Sequence, residues 1–237
     1  MEMASNLRQD SLMTRPVNPW LRIPLADYEG HMGAAEVRQL GVLADLFGEA
    51  LRICAPKSIA VLGIAGGNGL DTINTATIER VVGIDINADY LEETARRFRR
   101  LPLELHCLDL ATLGADRISP VDLVHAALIF EHAGIRHCLD NALQLTNARG
   151  HLSVVLQLPT DVGQALSPSL FATMQQLRDE FTFVDRTAFV NDLAARGLSL
   201  VSQSIRRTEA GKEFWLGVFQ RQVGSGIATA EPKSRKP

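Results

Sequence analysis

The chain has 237 residues, 46% of them hydrophobic, and a formal charge of -3. That is enough apolar material for one α/β domain with a full core, without the basic excess that would single out nucleic acid or an anionic membrane as the main partner. Three cysteines, Cys54, Cys107 and Cys138, form no CxxC pair, which speaks against a disulfide framework and for a reducing, cytoplasmic setting.

No apolar run approaches the roughly 20 residues that span a bilayer, and the polar start, with Glu2, Arg8 and Asp10, lacks a signal-peptide core. Residues 1–33 read as an N-terminal segment, loose as far as about Thr14 and then kept extended by Pro16, Pro19 and Pro24. Trp20, Leu21, Ile23 and Leu25 make its second half apolar, so it should lie against the rest of the protein. Tyr28 and His31 follow, just ahead of a helix expected over about Ala34–Ile53, where Val37, Leu40, Leu43, Leu46, Phe47 and Leu51 recur at helical spacing. Two readings of Tyr28 and His31 stay open: they cap that helix, or they face a ligand.

Ile59, Val61, Leu62 and Ile64 suit a strand buried on both faces, and Ala65–Gly69 then places three glycines in five residues. Glycine permits positive φ and close approach of a ligand to the main chain, and the helix expected next offers unpaired N–H groups. Val81–Ile84 is the second strand, closed by Asp85. This acid falls roughly 20 residues past the start of the glycine loop, the spacing at which a β-α-β nucleotide site turns a carboxylate toward ribose. An ordinary tight turn has the same glycines. Thr72 stands where a dinucleotide fingerprint starting at Gly67 needs glycine or alanine, and Leu70-Asp71 replaces the Lys-Ser/Thr of a P-loop.

What remains resembles the first motif of class I S-adenosylmethionine (SAM) dependent methyltransferases, an acid followed by glycines at alternate positions. The resemblance implies an α/β, Rossmann-like, seven-stranded and mostly parallel sheet with a C-terminal antiparallel hairpin and helices on both faces. It also implies SAM as cofactor: Gly63, Ala65, Gly67, Asn68 and Gly69 at the methionine end, Asp85 and Ile86 at the ribose, Asp109 and Leu110 at the adenine, and Tyr28 close by. The sequence departs from the motif twice. Gly63 stands where the family has its acid, and Ala65 where it has the first glycine, a mild change if φ is negative there.

Asn87–Arg100 reads as a helix whose crowded arginines complement its C-terminal end, and Leu103–Leu108 as the third strand, ending at Asp109. Val121–Phe130 is the fourth; beyond its carboxyl end, where open α/β sheets bind ligands, lie Glu131 and His132. With His31 these are the candidates for a catalytic base, though the resemblance implies an activated methyl donor that needs none. His125, His132 and His137 lack zinc spacing, and Ala126-Ala127 replaces the acid that metal-dependent catechol-type relatives use, so no metal is expected.

A helix over about His137–Ala148 and a fifth strand, Gly150–Leu158, follow. Thr160–Asp185 is too long for a plain connection. Ser167-Pro168 reads as a helix start, and Leu170, Phe171, Met174, Leu177 and Phe181 form a stripe that either lines an acceptor pocket or fills the core. A helix over Arg186–Arg196 and a hairpin of Leu198–Arg206 and Glu213–Gln220 close the domain. Residues 34–222 thus form the expected SAM-binding domain with an insertion at 160–185, and 223–237 has the composition of a disordered tail. The expected activity is methyl transfer to a small molecule. The alternatives are a SAM- or nucleoside-binding protein without chemistry, and an NAD-dependent oxidoreductase, which shares Asp85 but not the glycine pattern.

Overall fold

The computed structural model describes residues 18–160, 167, 169–178 and 180–222. Expectations that fall on 1–17, 161–166, 168, 179 and 223–237 (the loose start, part of the insertion and the tail) lie outside the described residues. Seven strands form one sheet: β1 Ser58–Leu62, β2 Arg80–Asp85, β3 Leu103–Cys107, β4 Val121–Ala127, β5 Thr146–Leu158, β6 Leu198–Arg207 and β7 Glu213–Arg221. Their order is β3-β2-β1-β4-β5-β7-β6. The first five are parallel to their neighbours, whereas β7 runs antiparallel to both β5 and β6. The expected fold class is the observed one.

The apolar runs are strands because both faces of the sheet are covered. On one face Ala60, Leu62, Val82, Ile84, Val124 and Ala126 join the apolar side of α5 (Ile135–Leu145) and Phe189 of α6 (Arg186–Ala195). On the other, Ile59, Val81 and Leu123 meet Phe47 and Ala50 of α2 (Gln39–Cys54) and Leu91 of α3 (Ala88–Arg97). β1 is paired on its two sides with β2 and β4. The chain order reverses there, and the carboxyl ends of these strands frame the crevice in which such sheets bind ligands.

Two elements differ from expectation. The helix predicted from Ala34 is preceded by another, α1 Leu25–Gly33, with Pro24 at its N-cap; proline forbids a helix interior but suits a helix start. The two are separated at Arg38, whose φ is 44°. No α-helix follows the glycine loop. A single 3-10 turn, Leu70–Thr72, is all that forms, because the Thr72 hydroxyl donates to the Gly69 carbonyl and Asn74 Oδ1 accepts from Ala76 N–H, side-chain bonds that compete with a helical ladder. Among its described residues the 160–185 insertion contributes one 3-10 turn, Ala172–Leu177; the helix start read at Ser167-Pro168 falls partly outside the described residues. Elsewhere β5 begins at Thr146, so α5 ends three residues before the expected Ala148. Asn87 caps α3 as predicted, its side chain accepting from Asp89 N–H.

Candidate functional site

A narrow cavity of about 120 Å³ opens at the reversal point. Its floor is the carboxyl ends of the strands: Gly63 and Ala65 after β1, Asp85 and Ile86 at β2, Asp109 and Leu110 after β3, Ala127 and Leu128 at β4, and Gln157 in β5.

Asp85 is buried, with 7% of its surface exposed. Its Oδ2 accepts from Ala65 N–H at 2.9 Å and its Oδ1 from Asn87 N–H at 2.9 Å. Burial raises its pKa, and the backbone hydrogen bonds act against that shift. A carboxylate offers about four lone-pair sites, so Asp85 both ties the glycine loop to β2 and keeps capacity for a ligand's hydroxyls. Asp109 is half-buried, and its Oδ1 accepts from Ala111 N–H at 2.9 Å. It is a turn residue that also borders the cavity. The loop beyond it is anchored by the fully buried Asn141 of α5, which donates to the carbonyls of Leu110 and Thr112 and accepts from Gly114 and Ala115 N–H.

Strain sits at the same place. Ala65 and Leu128, both lining the cavity, have φ of 45° and 55°, a left-handed backbone that costs an L-residue roughly 1–2 kcal/mol. The condition that made Ala65 a mild replacement for glycine, a negative φ, is therefore not met. Gly63 has φ of 68°, and a Cβ there would lie 2.9 Å from Ile129 Cδ1. The place of the motif's usual acid is taken by an isoleucine from the loop after β4.

Three residues of the glycine loop do not line the cavity. A Cβ on Gly67 would strike Phe98, one on Gly69 would meet Phe47, and Asn68 donates to the Leu40 carbonyl. The two glycines thus serve turn geometry and close helix contact.

The roof comes from the N-terminal segment and the insertion. Trp20 stands edge-on to Tyr28 at 5.7 Å and to His132 at 5.0 Å, and Phe181 lies edge-on to His132 at 5.3 Å. Ile23, Met174 and Leu177 form a small buried cluster behind them. The segment is fixed over the floor by Asn87 Nδ2 donating to the Trp20 carbonyl and by the Tyr90 hydroxyl donating to the Ile23 carbonyl. Tyr28 thus faces the cavity from within α1, and burial followed by the charge of Asp85 pushes its phenol pKa up.

Of the three candidate bases, His132 lines the cavity. Its Nδ1 is buried without a hydrogen-bond partner among the described residues, and burial lowers its pKa to about 4, so the imidazole is neutral. Glu131 turns away into the core, 1% exposed, with Oε1 accepting from Gln157 N–H at 2.9 Å and burial raising its pKa to about 7. His31 is buried and does not line the cavity. His125 is a core residue as expected, its Nδ1 2.6 Å from the Ser153 hydroxyl. Among the described residues no group of three or more His, Cys, Asp or Glu is placed to hold a metal, and no helix is long and apolar enough to cross a membrane.

No protein-family model and no curated protein matches the sequence. Solved structures do match the fold. The N-methyltransferase NodS of Bradyrhizobium japonicum WM9, in complex with S-adenosylhomocysteine (SAH), aligns over 86% of this chain and 98% of its own at a TM-score of 0.60 and 14% identity. The magnesium protoporphyrin IX methyltransferase ChlM of Synechocystis PCC 6803, with bound SAM, aligns over 86% and 93% at 0.63 and 12%. The chain has the class I methyltransferase fold. A third match, the [4+2]-cyclase SpnF (81% and 84%, TM-score 0.59, 12% identity), shows that this methyltransferase fold is not tied to one reaction.

Within the methyltransferase fold the sequence missed Trp20, Gln39, Gln157 and Lys212, all of which line the cavity. Lys212 had a usable signal. Once a C-terminal antiparallel hairpin is expected beside the fifth strand, its turn must fall at that strand's carboxyl end, on the ligand side.

Proposed function

We propose that the protein is a metal-independent, SAM-dependent methyltransferase acting on a small molecule. The observation that carries this reading is the pair of acids at the tips of neighbouring strands, Asp85 and Asp109, lining one crevice at the point where the strand order reverses. Their carboxylates suit the donors of a nucleoside, Asp85 the ribose hydroxyls and Asp109 the exocyclic amine, with Ile86 and Leu110 as apolar surfaces on either side of the base. Gly63 and Ala65, lacking bulk, leave main chain exposed for the amino-acid end. When bound, the cofactor supplies a methyl group already activated by a positively charged sulfur, so the protein's task is alignment and exclusion of water.

Trp20, Tyr28 and Phe181 close the roof against solvent. His132 lines the cavity with a neutral imidazole and is the side chain placed to take the proton that an O–H or N–H acceptor loses. An imidazole of pKa about 4 is a weak base toward a resting hydroxyl. It is adequate toward an acceptor whose proton becomes strongly acidic as the new bond forms.

Titration calorimetry with SAH tests the reading: binding that Asp85→Ala abolishes is expected, and a thermal shift with NAD but not SAH overturns it. With an acceptor in hand, His132→Ala should lower turnover by about 10²-fold at unchanged SAH affinity, and chelator should leave turnover unaltered. Unchanged turnover removes His132 as base.

The seating of Ile129 against Gly63 favours a second reading, a SAM- or nucleoside-binding protein without chemistry. SAH binding with no labelled methyl released to a broad panel of oxygen, nitrogen and carbon acceptors would establish it.

A further inference from the structure

The cavity is chemically lopsided. Asp85 and Asp109 stand at one end, and at the other stands Lys212, a buried residue with 5% of its surface exposed. Leu158 of β5 pairs with Glu213 of β7, which brings the turn before β7 to the carboxyl end of β5. Lys212 is fixed in that turn: its N–H donates to the Thr208 hydroxyl, and its carbonyl accepts from Thr208 N–H. Gln157 from β5 and Gln39 from the start of α2, both buried, line the same end. Between the two ends the walls are rings, those of Trp20, Tyr28, His132 and Phe181.

We propose that the methyl acceptor is a flat aromatic molecule carrying a carboxylate, and that Lys212, with Gln39 and Gln157 beside it, receives that carboxylate. This rests on the transferase reading above and names its substrate class. Trp20, Tyr28, His132 and Phe181 meet one another edge-on, and a wall of rings offers the face or rim of a planar guest a partner of opposite polarity. Lysine carries three donors. Lys212 and Gln157 already have partners, so the acceptor's charge joins their contacts. Burial lowers the Lys212 pKa to about 8, and an anion beside it would restore the charged form. The pKa of the buried His31 is lowered first by burial and then by the Lys212 charge, which places the two side chains near each other.

The cofactor's own carboxylate is the other source of such a charge, and the sheet order argues against it. If the nucleoside lies on β3 and β2, its methionine falls at β1, and β7 is three strands further on, about 14 Å at the usual spacing. That span is about the full combined reach of an amino-acid tail and an extended lysine side chain, so a carboxylate carried by the acceptor is the nearer partner, and SAH affinity in the Lys212 variants separates the two sources.

The test uses the full chain saturated with SAH and two matched probes, 4-hydroxybenzoate and 4-hydroxybenzamide, with binding read by titration calorimetry. At least tenfold tighter binding of the benzoate is expected, lost in Lys212→Met, kept in Lys212→Arg, with SAH affinity changed less than twofold in both variants. Equal binding of the probes, or of neither, by the wild-type SAH complex overturns the proposal without needing any variant to fold. A fall in SAH affinity in Lys212→Met that matches its loss of benzoate also overturns it, by assigning the lysine to the cofactor. Absence of SAH binding by the wild type would instead sink the transferase reading itself.

Discussion

At the cavity floor, Asp85 accepts N–H groups from Ala65 and Asn87, all within one strand–loop–strand unit. The roof is assembled from Trp20, α1 and the 172–177 turn, which meet through an apolar cluster of three buried residues and one side-chain bond of the Thr173 hydroxyl to Asp27 Oδ2 at 2.6 Å. The floor is thus fixed by directional bonds within one unit, whereas the roof combines apolar contacts with single bonds to separate neighbours, Asn87 Nδ2 to the Trp20 carbonyl and the Tyr90 hydroxyl to the Ile23 carbonyl, and is the more readily loosened of the two. The difference between the two regions places the buried acids on the part of the fold that is harder to open.

The largest effect should come from breaking the floor. Asp85→Ala strips two buried N–H groups of their acceptor and should cost about 4 kcal/mol, read by chemical denaturation, along with SAH binding.

Next is Glu131, which joins the two regions: its carboxylate accepts from Gln157 N–H in β5, and its carbonyl from Thr182 N–H in the insertion. Burial raises its pKa from the ordinary carboxylate value of 4.5 to about 7, so the folded state holds its proton longer. Stability from this group is full below about pH 4.5 and is lost as pH rises toward 7, a change on the order of 3 kcal/mol. His125 and His132, lowered to about 4, act in the opposite sense, weakening the fold as pH falls below about 6.5. The difference between the wild-type and Glu131→Gln melting curves across pH 4.5–7 should isolate the carboxyl contribution; a flat difference refutes it.

A smaller loss should follow from thinning the roof. Trp20→Ala removes a half-buried ring and two edge-on contacts, about 2 kcal/mol, and should weaken SAH roughly tenfold while leaving α3 and the floor unchanged by hydrogen exchange. Equal exchange rates at the roof in variant and wild type would show that Trp20 is not what holds it. Smallest, and opposite in sign, is Ala65→Gly. Relief of a left-handed alanine, less the entropy glycine adds to the unfolded chain, should stabilise by about 0.5–1 kcal/mol, seen as a melting temperature roughly 2 °C higher.

The same division separates what could be read in the sequence from what could not. Asp85 was legible because it ends a continuous apolar run, and a strand buried on both faces announces its own boundary; Asp109 follows the alternating Leu103–Leu108 of a half-buried edge strand and was read from its place in the ordered series of acids. The hairpin and the Asn87 cap were legible for similar local reasons. The roof was not: Gly30 inside α1 makes room for the Phe171 ring, against which a Cβ would lie at 2.5 Å, and no local rule connects residues so far apart in the chain. Glycines were hard to read for a related reason. Gly67 and Gly69 pack closely on Phe98 and Phe47, and the reason for Gly63, the side chain of Ile129, lies in another strand's loop. Lys212, Gln39 and Gln157 carry no motif at all; the strand order alone assembles them.

Asn87 holds three of these parts at once. Its main chain bonds Asp85, its Oδ1 caps α3, and its Nδ2 grips the Trp20 carbonyl. It therefore works as a common rivet: segment, acid and helix are pinned by one residue, so its loss would loosen all three together.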